Sequence, residues 1–581
     1  MKKIISLLVI LVICCALVIT LVACGEDNAG NNTPHTCIDS NQDHKCDICD
    51  KDSACLSEDK NHFCDICGKK IGECTDDNLD HSCDVCAEKL SECKDIDGDW
   101  TCDICERRMI VSIRFYHTMG ENMSSVLDKY IVEFNKLYPN ITVHWEQVGN
   151  YDDVRQQISS EIPNGKQPNI AYCYPDHVAL YNLDNAVVSL DNLINNSSMI
   201  TRADGTKETI GLTQAQKDDF IEGYYAEGAQ FGDGKMYSMP FSKSTEVLYY
   251  NKTFFDEHGL TPPSTWDEME EVCRRIKEID PDCIPLGYDS ESNWFITMCE
   301  QLQSGYTSAE KGNHFLFDNQ TNRDFVKRFR TWYEKGYVIT QELYGSYTSV
   351  LFTTVGESTA SKKVVKSYMC IGSSTGATHQ RPAAKNGVYP FEVGITSVPQ
   401  INPANPSVIS QGPSVCIFNN DNPLEVIASW LFVKFLTTNA DFQAEFSLAS
   451  GFVPVLKSAA DTSILRDYLD SAYLCEMVQD NKGNLVIDRN PDGTAKFILD
   501  ENGNKQYLGN DYIAILCKEI CLAQANAYFA IPAFYGCSTA SYEVGFLMTE
   551  CLFVRGDADA VIDKAFKDAI KDCENRTSNG K

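Results

Sequence analysis

After Met109, short segments rich in β-branched residues alternate with longer segments of helical period. In chain order, the pattern predicts a strand at 110–116, a helix at 123–138, a strand at 141–148, a helix at 151–162 and a strand at 169–174. A β-α-β-α-β order requires a mainly parallel sheet with helices on both faces. Because the ligands of such α/β sheets bind beyond the carboxyl ends of the strands, residues 116–121 and 174–177 are predicted to border a binding site.

The length and charge of the chain limit its class. With 581 residues the chain is too long for one ordinary domain, and 43% hydrophobic residues are enough to build globular cores. The formal net charge is -32 at pH 7. Nucleic-acid binding needs clustered Lys and Arg, so a chain this acidic is not expected to bind nucleic acid.

Residues 1–23 have the pattern of an export signal peptide. Lys2 and Lys3 precede an apolar run that ends in Leu-Val-Ala before Cys24 and Gly25. This ending resembles the lipobox of bacterial lipoprotein precursors, which implies that Cys24 is lipidated and anchors the chain to the outer face of the cytoplasmic membrane. An uncleaved transmembrane helix is the alternative, because the run is about long enough to span a bilayer. No second apolar run of that length follows, so the rest of the chain is expected outside the cytoplasm.

Residues 37–108 form a fourfold repeat, after a polar segment at 24–36 that we expect to be a flexible linker. Each unit begins with one cysteine and ends with a Cys-x-x-Cys pair, and the first three units place a histidine two residues before the pair. Three thiolates and one imidazole are an adequate tetrahedral set for Zn²⁺. The three predicted sets are Cys37, His44, Cys46 and Cys49; Cys55, His62, Cys64 and Cys67; and Cys74, His81, Cys83 and Cys86. In the fourth unit Trp100 replaces the histidine.

Two other interpretations of the repeats stay open. Cysteines this dense, in a segment with hardly any apolar residues, are also typical of disulfide-stapled modules. Alternating acidic side chains, as in residues 95–99, resemble the first half of a calcium loop, although the bidentate Glu of an EF-hand is missing. More cysteines are scattered singly after Met109, which is unusual for a secreted protein and would suit an anaerobic niche. We expect the repeats to act as a spacer or interaction module.

Several stretches after Met109 carry a family resemblance when they are taken in order. They include IRFYHTMGEN at 113–122, DGKMYSMPFSKSTEVLYYNK at 233–252, GPSVCIF at 412–418 and PAFYGCSTASYEV at 532–544. Together these stretches resemble family 1 of the extracellular solute-binding proteins of ABC importers, the group that contains maltose and glycerol-3-phosphate binding proteins. The resemblance covers residues 109–581 and implies an α/β, two-lobed periplasmic-binding-protein-like (type II) fold with a hinge.

The resemblance also implies how the chain divides between the lobes. The expected ranges are 109–241 and 371–415 for lobe 1, and 242–370 and 416–581 for lobe 2. The chain is expected to cross between the lobes at the strand STEVLYYNK and to return near residues 369–373 and 414–416.

The implied function is that of a substrate-binding component, which captures a sugar or oligosaccharide by closing its lobes and delivers it to ABC permease subunits. We expect a monomer whose binding domain needs no cofactor. The main alternative is glycerol-3-phosphate or a related phosphodiester, for which Arg114 and Lys243 would be the cations. Enzyme activity is not expected, since the nucleophile-elbow, zinc-protease and Walker motifs are absent from the sequence. The abundant carboxylates leave a secreted glycosidase as a remote alternative.

A sugar site needs hydroxyl-binding carboxylates and amides together with flat aromatic side chains. By analogy with the family, we predict ligand-binding residues at strand ends, chain crossings and loops: His117, Glu121, Tyr174, Asp176, Glu246, Asp289, Trp294, Gly372, Ser373, Phe452 and Tyr535. Trp294 is the strongest candidate, because an indole beside Asn293 in a polar loop has no evident reason to be exposed at the surface. Core packing is the competing interpretation for Tyr174 and Phe452. For Glu246 and Asp289 it is a solvated or helix-capping position.

Overall fold

The computed structural model describes residues 109–359, 361–420 and 422–578. The fold unit begins at Ile110. The predictions for residues 1–108, which are the signal peptide, the lipidated Cys24, the linker and the repeats with their metal sets, lie outside the described residues.

The described residues alternate between strands and helices along most of their length. The strands are β1 (Val111–His117), β2 (Ile141–Gln147), β3 (Ile170–Cys173), β4 (Met199–Thr201), β5 (Lys207–Thr209), β6 (Met239–Pro240), β7 (Ser244–Asn251), β8 (Leu286–Tyr288), β9 (Val338–Thr340), β10 (Met369–Ser373), β11 (Val393–Thr396), β12 (Val408–Gln411), β13 (Ser414–Ile417), β14 (Met477–Gln479), β15 (Leu485–Ile487) and β16 (Tyr528–Phe529). The α-helices are α1 (Glu121–Leu137), α2 (Tyr151–Glu161), α3 (Pro175–Tyr181), α4 (Asp191–Ile194), α5 (Gln214–Asp219), α6 (Glu222–Glu227), α7 (Lys252–Glu257), α8 (Trp266–Ile279), α9 (Glu291–Gln301), α10 (Gln320–Glu334), α11 (Gln341–Tyr344), α12 (Ser349–Phe352), α13 (Pro423–Thr437), α14 (Ala440–Ser450), α15 (Ser463–Asp470), α16 (Ile513–Ala523), α17 (Cys537–Phe553) and α18 (Ala558–Ser578).

The first five elements confirm the predicted β-α-β-α-β order, and each predicted boundary lies within two residues of the observed one. Strand β1 buries Val111, Ile113 and Phe115 while the residues between them are exposed, as a period of two requires. Helix α1 buries Leu127 and Phe134 on one face, at helical spacing. Local periodicity therefore determines this part of the fold.

The first sheet has the strand order β2-β1-β3-β13-β6. Strand β1 runs parallel to β2 and β3, whereas β13 is antiparallel to β3 and β6. Helix α13 packs on this sheet, α13 and α14 both pack on α1, and the rings of Phe134 and Phe432 lie 5.1 Å apart. These elements form lobe 1.

The second sheet has the order β16-β12-β7-β10-β8-β9, with β11 also paired to β7. Strand β7 is antiparallel to β10, β11 and β12, and β8 lies parallel between β10 and β9. Helices α9, α10, α17 and α18 pack together beside this sheet, and α16 packs on β7 and β11. These elements form lobe 2, and the two lobes make the fold α/β and two-lobed, as predicted.

Within the described ranges, the chain crosses between the lobes at three places. It leaves lobe 1 between β6 and β7, where STEVLYYNK was predicted to cross, and it returns between β12 and β13, at the predicted residues 414–416. The third crossing follows α14, because α15 packs on α16 of lobe 2. The described lobe 1 therefore includes residues beyond 416, through α14 and on to Ser458, because Leu456 pairs with Phe220 and Ser458 donates to Asp219.

The predicted return crossing at residues 369–373 is wrong. Strand β10 pairs with β7 and β8 inside the second sheet, and β11 and β12 follow it there. Residues 371–411 therefore belong to lobe 2 and not, as predicted for 371–415, to lobe 1. The physical reason is that a fully buried strand and a buried crossing both appear as short apolar runs, which periodicity does not distinguish.

Among the described residues, no helix combines the length and apolarity that crossing a bilayer requires.

Candidate functional site

A cavity of about 910 Å³ lies between the two lobes. Lobe 1 contributes residues from the segments 150–155 and 174–180, together with Glu227 of α6. Lobe 2 contributes residues from the segments 292–296, 409–412 and 531–542, together with Tyr306 and Arg576. We call this cavity the cleft.

The lobe 1 wall of the cleft is built at strand and helix ends. Asn150 follows β2 and caps α2, accepting hydrogen bonds from the backbone N–H groups of Asp152 (2.8 Å) and Asp153 (3.1 Å). Tyr174 follows β3 directly and is the N-cap of α3. The wall therefore lies beyond the carboxyl ends of β2 and β3, where an α/β sheet binds its ligands.

The lobe 2 wall is built from helix starts. The side chain of Ser290 accepts from the backbone N–H of Asn293 (3.2 Å) and so places Asn293 in the first turn of α9. Gly536 precedes α17 with a φ of 108°, a left-handed conformation that favours glycine. This turn directs Ser538 and Thr539, in the first turn of α17, into the cleft.

Tyrosine rings from both lobes give the cleft flat apolar surfaces. The rings of Tyr151 and Tyr174 lie 4.8 Å apart on lobe 1, and burial raises the pKa of both phenols. Tyr535 and Tyr542 face them from lobe 2, and the Tyr542 side chain is 62% exposed. A tyrosine ring can pack against an apolar ligand face while its hydroxyl group remains available for hydrogen bonding.

A buried polar cluster forms the floor of the cleft at two of the chain crossings. The ammonium group of Lys243 is fully buried and donates to Glu227, to the carbonyl of Gly412 (3.0 Å) and to Ser414 Oγ (3.1 Å). Ser414 Oγ in turn donates to Glu227 Oε2 (2.8 Å). Gly412 has a φ of 103°, and a Cβ there would lie 2.6 Å from the Ser242 carbonyl oxygen. The carboxylate of Glu227 is thus held at the cleft floor with its charge neutralised.

Two further ion pairs lie at the cleft walls. Arg155 binds Asp152 at 3.1 Å, and Arg576 binds Glu543 at 3.2 Å. Asp176 accepts a hydrogen bond from Ser538 across the cleft, so it joins lobe 1 to lobe 2. His177 lies beside Asp176, and burial is the main cause that lowers the pKa of its imidazole.

Three of the predicted residues line the cleft, namely Tyr174, Asp176 and Tyr535. Phe452 lies just behind the cleft wall, with its ring 3.3 Å from the position that a Cβ on Gly412 would take. Whether these side chains contact ligand stays a prediction.

The structure does not bring Trp294 or His117 into the cleft. The Trp294 ring is fully buried in lobe 2, where it stacks 4.8 Å from Tyr288 and lies tilted 4.1 Å from Phe329. His117 is fully buried in lobe 1, where desolvation lowers the pKa of its imidazole to about 4. Its Nδ1 accepts from the backbone N–H of Met119 (3.1 Å). Both side chains pack in a core, because the strand or helix that carries them turns that face inward.

The other predicted residues also lie away from the cleft lining. Glu246 is buried on β7, and Asp289 accepts from the backbone N–H (2.6 Å) and the hydroxyl group (2.7 Å) of Thr348. Gly372 and Ser373 belong to β10, where they pair with β7. Glu121 is exposed at the start of α1.

The cations predicted for a phosphate ligand occupy other sites. Arg114 donates to the carbonyls of Lys166 (2.6 Å) and Gln167 (2.9 Å), and Lys243 lies buried under the cleft floor. The guanidinium groups at the cleft belong instead to Arg155 and Arg576.

Sequence reasoning missed most of the cleft lining. Asn150 and Tyr151 had a usable signal, because they follow the second strand of a parallel sheet and precede a helix. The first turn of α17 had only the glycine at Gly536 as a signal. Glu227 and Arg576 had no local sequence signal, because the packing of helices brings them to the cleft.

The described residues contain no group of three or more His, Cys, Asp or Glu side chains that could hold a metal ion. Burial raises the thiol pKa of most cysteines in this part of the chain, as for Cys283, whose pKa is about 12. The described cysteines are free thiols.

Curated proteins that are similar to this chain carry the same name in different organisms. The sn-glycerol-3-phosphate-binding periplasmic protein UgpB of Salmonella typhimurium is 24% identical over 372 residues, which cover 62% of this chain and 78% of that protein. UgpB of Escherichia coli is 24% identical over 363 residues, covering 61% and 76%.

Solved structures share the fold. The cyclic alpha-maltosyl-1,6-maltose binding protein of Arthrobacter globiformis matches with a TM-score of 0.58 at 17% identity, over 80% of this chain and 100% of that one. UgpB of Mycobacterium tuberculosis, in complex with glycerophosphocholine, matches with a TM-score of 0.55 at 17% identity, over 80% and 99%.

The family model of the bacterial extracellular solute-binding proteins matches residues 129–469, which is more than half of the chain. This range contains helices α2, α3, α13 and α14 of lobe 1 and strands β7 to β12 of the second sheet. The chain therefore belongs to the bacterial extracellular solute-binding protein family.

Proposed function

We propose that this chain is the substrate-binding component of an ABC importer and that it takes a carbohydrate, a sugar or oligosaccharide, into the cleft. The observation that carries the proposal is the lining of the cleft, which combines tyrosine rings from both lobes with hydroxyl, amide and carboxylate groups. A sugar offers hydroxyl groups to such polar partners and an apolar ring face to the tyrosines. The volume of about 910 Å³ is near the upper end of what small-molecule sites have, which favours a ligand of more than one ring.

The charges at the cleft also favour a neutral ligand. The guanidinium groups of Arg155 and Arg576 are each paired with a carboxylate, and the ammonium group of Lys243 is paired with Glu227. A phosphate would have to compete with these carboxylates for its cations. Two solved structures that share the fold are described as sugar-binding, one of them for cyclic alpha-maltosyl-1,6-maltose, which supports the same ligand class.

A second ligand class is favoured by a specific observation. Arg155 and Arg576 lie at the cleft, and the curated relatives are named for sn-glycerol-3-phosphate. A glycerophosphodiester that displaced one carboxylate would find a bidentate partner there.

Thermal unfolding and calorimetry of the full chain test the proposal. The ligands are maltose, maltotriose, sn-glycerol-3-phosphate and glycerophosphocholine, and a ligand at 100 times its Kd should raise the free energy of unfolding by about 2.7 kcal/mol. Tyr535→Ala should weaken sugar binding, whereas Tyr347→Ala, which removes an exposed tyrosine outside the cleft lining, should not. Stabilisation by the phosphate compounds alone would select the second ligand class, and product formation from a sugar would contradict a pure binding role.

The lipid anchor at Cys24 is part of the proposal. A single residue of small size before a cysteine at the end of an apolar run is what lipoprotein processing needs. Cys24→Ala should abolish labelling by a fatty-acid analogue. If the labelled lipid is absent from the wild-type protein and the chain is still in the membrane, the uncleaved helix is correct instead.

We propose that residues 37–108 act as a spacer or as an interaction module. The zinc sets of the first three units are tested by metal analysis together with a thiol count. Three bound Zn²⁺ ions with reduced thiols support the zinc sets, whereas oxidised sulfurs without metal support disulfides.

A further inference from the structure

Each charged side chain at the cleft can be assigned a partner, with one exception. Asp152 is paired with Arg155, Glu227 with Lys243, and Arg576 with Glu543. Each of these pairs brings one positive and one negative charge, so together they leave the cleft neutral. The remaining charged group in the cleft lining is Asp176.

In the part of the chain that the structure describes, Asp176 has no Lys or Arg partner. Within the described residues its polar contacts are the hydroxyl group of Ser538, which donates to its carboxylate, and His177 Nε2 at 3.9 Å. The side chain is 19% exposed, so water screens it only in part. The carboxylate therefore leaves the cleft with one uncompensated negative charge.

His177 does not neutralise this charge at neutral pH. Its side chain is 6% exposed, and burial lowers the pKa of the imidazole despite the nearby carboxylate, with Arg155 acting in the same direction as burial. Its Nδ1 is buried and has no hydrogen-bond partner in the described part of the chain. A neutral imidazole with an open ring nitrogen lies in the cleft lining beside Asp176.

The carboxylate also occupies the position where an anionic ligand would otherwise be favoured. Helix α17 has 17 residues, and its first turn lines the cleft without a side-chain cap of its own. A helix start of this length attracts negative charge through its free N–H groups and dipole. Asp176 meets that first turn from the opposite lobe through Ser538.

We propose that Asp176 is a specificity-determining residue that excludes phosphate-bearing ligands from the cleft, by occupying the first turn of α17 and by leaving a net negative charge there. The inference rests on the proposed function in that it takes the cleft to be the ligand site. Rejection of one ligand class through a like charge is a known way to obtain specificity. A neutral carbohydrate meets no such repulsion and can donate hydroxyl hydrogen bonds to the same carboxylate.

The test uses the full chain, with sn-glycerol-3-phosphate and inorganic phosphate as probes and calorimetry as the readout. Asp176→Asn should bind sn-glycerol-3-phosphate about tenfold or more tightly than the wild-type chain does. Where the wild-type chain shows no binding, the highest concentration tested gives the lower limit of its Kd. Inorganic phosphate should show the same direction of change.

Two control variants separate charge from the other properties of Asp176. Ser538→Ala removes the same contact between the lobes and keeps the charge, so it should not gain phosphate binding. Asp184→Asn makes the same chemical change at an exposed position outside the cleft lining and should match the wild-type chain. Asp176→Ser serves in place of Asp176→Asn if that variant does not fold.

The inference is overturned if Asp176→Asn binds the phosphate probes no better than Asp184→Asn does, or if Ser538→Ala gains as much as Asp176→Asn. Failure of the proposed function has a different signature. If the sugars fail to bind but Asp176→Asn gains phosphate binding, the carbohydrate proposal falls while the role of Asp176 stands. If the sugars bind and no variant gains phosphate binding, the carbohydrate proposal stands and the role of Asp176 is rejected.

Discussion

Replacing Glu246 by Gln should remove a pH dependence of folding stability that the wild-type chain has. The Glu246 side chain is fully enclosed on β7 and accepts hydrogen bonds from the Tyr288 hydroxyl (2.8 Å) and from Asn293 Nδ2 (2.9 Å). Burial is the largest cause that raises the pKa of this carboxyl, to about 7. The two hydrogen bonds act against burial, and the nearby Asp289 acts with it.

The size and sign of the effect follow from the two pKa values. A change from 4.5 in the unfolded chain to about 7 in the folded one corresponds to about 3 kcal/mol, at about 1.4 kcal/mol per pKa unit. Because the folded pKa is raised, the folded protein holds the proton more tightly than the unfolded chain does. The stability contributed by Glu246 is therefore complete below a pH of 4.5 and is lost as the pH rises through about 7.

Urea unfolding of both proteins between about pH 4 and about pH 8 measures this loss. Trp294, which stacks on Tyr288, is one of the six tryptophans whose fluorescence follows unfolding. The two proteins should have similar stability at the acid end, and Glu246→Gln should be more stable by about 3 kcal/mol at the alkaline end. Glu121→Gln, at an exposed position, corrects for the removal of a carboxylate as such. Parallel stability curves for Glu246→Gln and the wild-type chain would refute the reasoning.

Further predictions concern the cores and the hinge. Trp294→Ala should destabilise the empty protein by about 3–5 kcal/mol, because it removes a fully buried ring; an unchanged melting temperature would contradict its core position. Lys243→Met should cost about 3–5 kcal/mol in chemical denaturation, because it leaves Glu227 buried without its cation. Adding Glu227→Gln to Lys243→Met should recover part of that loss, and a double variant no more stable than the single one would show that the pair is not the cause.

The sequence predicted the first part of the fold well because local periodicity and burial agree there. Strand β1 has a period of two and helix α1 a period of 3.6, so neither could be mistaken for the other. The two crossings that agree with the sheet order were implied by the family resemblance, because an apolar run alone gives no signal that separates a crossing from a strand within one sheet. Strand β10 lacked such a signal, because Met369 to Ile371 would be apolar in either position.

The site was predicted less well, because the direction of a side chain depends on tertiary packing. Trp294 lies in a locally polar segment, yet α9 turns it toward Phe329 and the core of lobe 2. The same helix presents Ser292, Asn293 and Ile296 to the cleft instead, although Asn293 is its neighbour in the chain. A shift of one position along a helix turns a side chain by about 100°, which a prediction made from composition alone does not resolve.

Two of the predicted residues that line the cleft share a position that the local sequence identifies, directly after a parallel strand. Tyr174 and Asp176 follow β3 within three residues, so the rule that ligands bind beyond the carboxyl ends of parallel strands is enough to place them. His117 ends β1 in the same sheet, but it is still part of the strand and its ring points into the core, 5.3 Å from Phe115. The rule therefore selects residues after the last strand position and excludes those on it. Applied in that form to β2, it would also have selected Asn150 and Tyr151, the two cleft residues that the sequence had the means to predict.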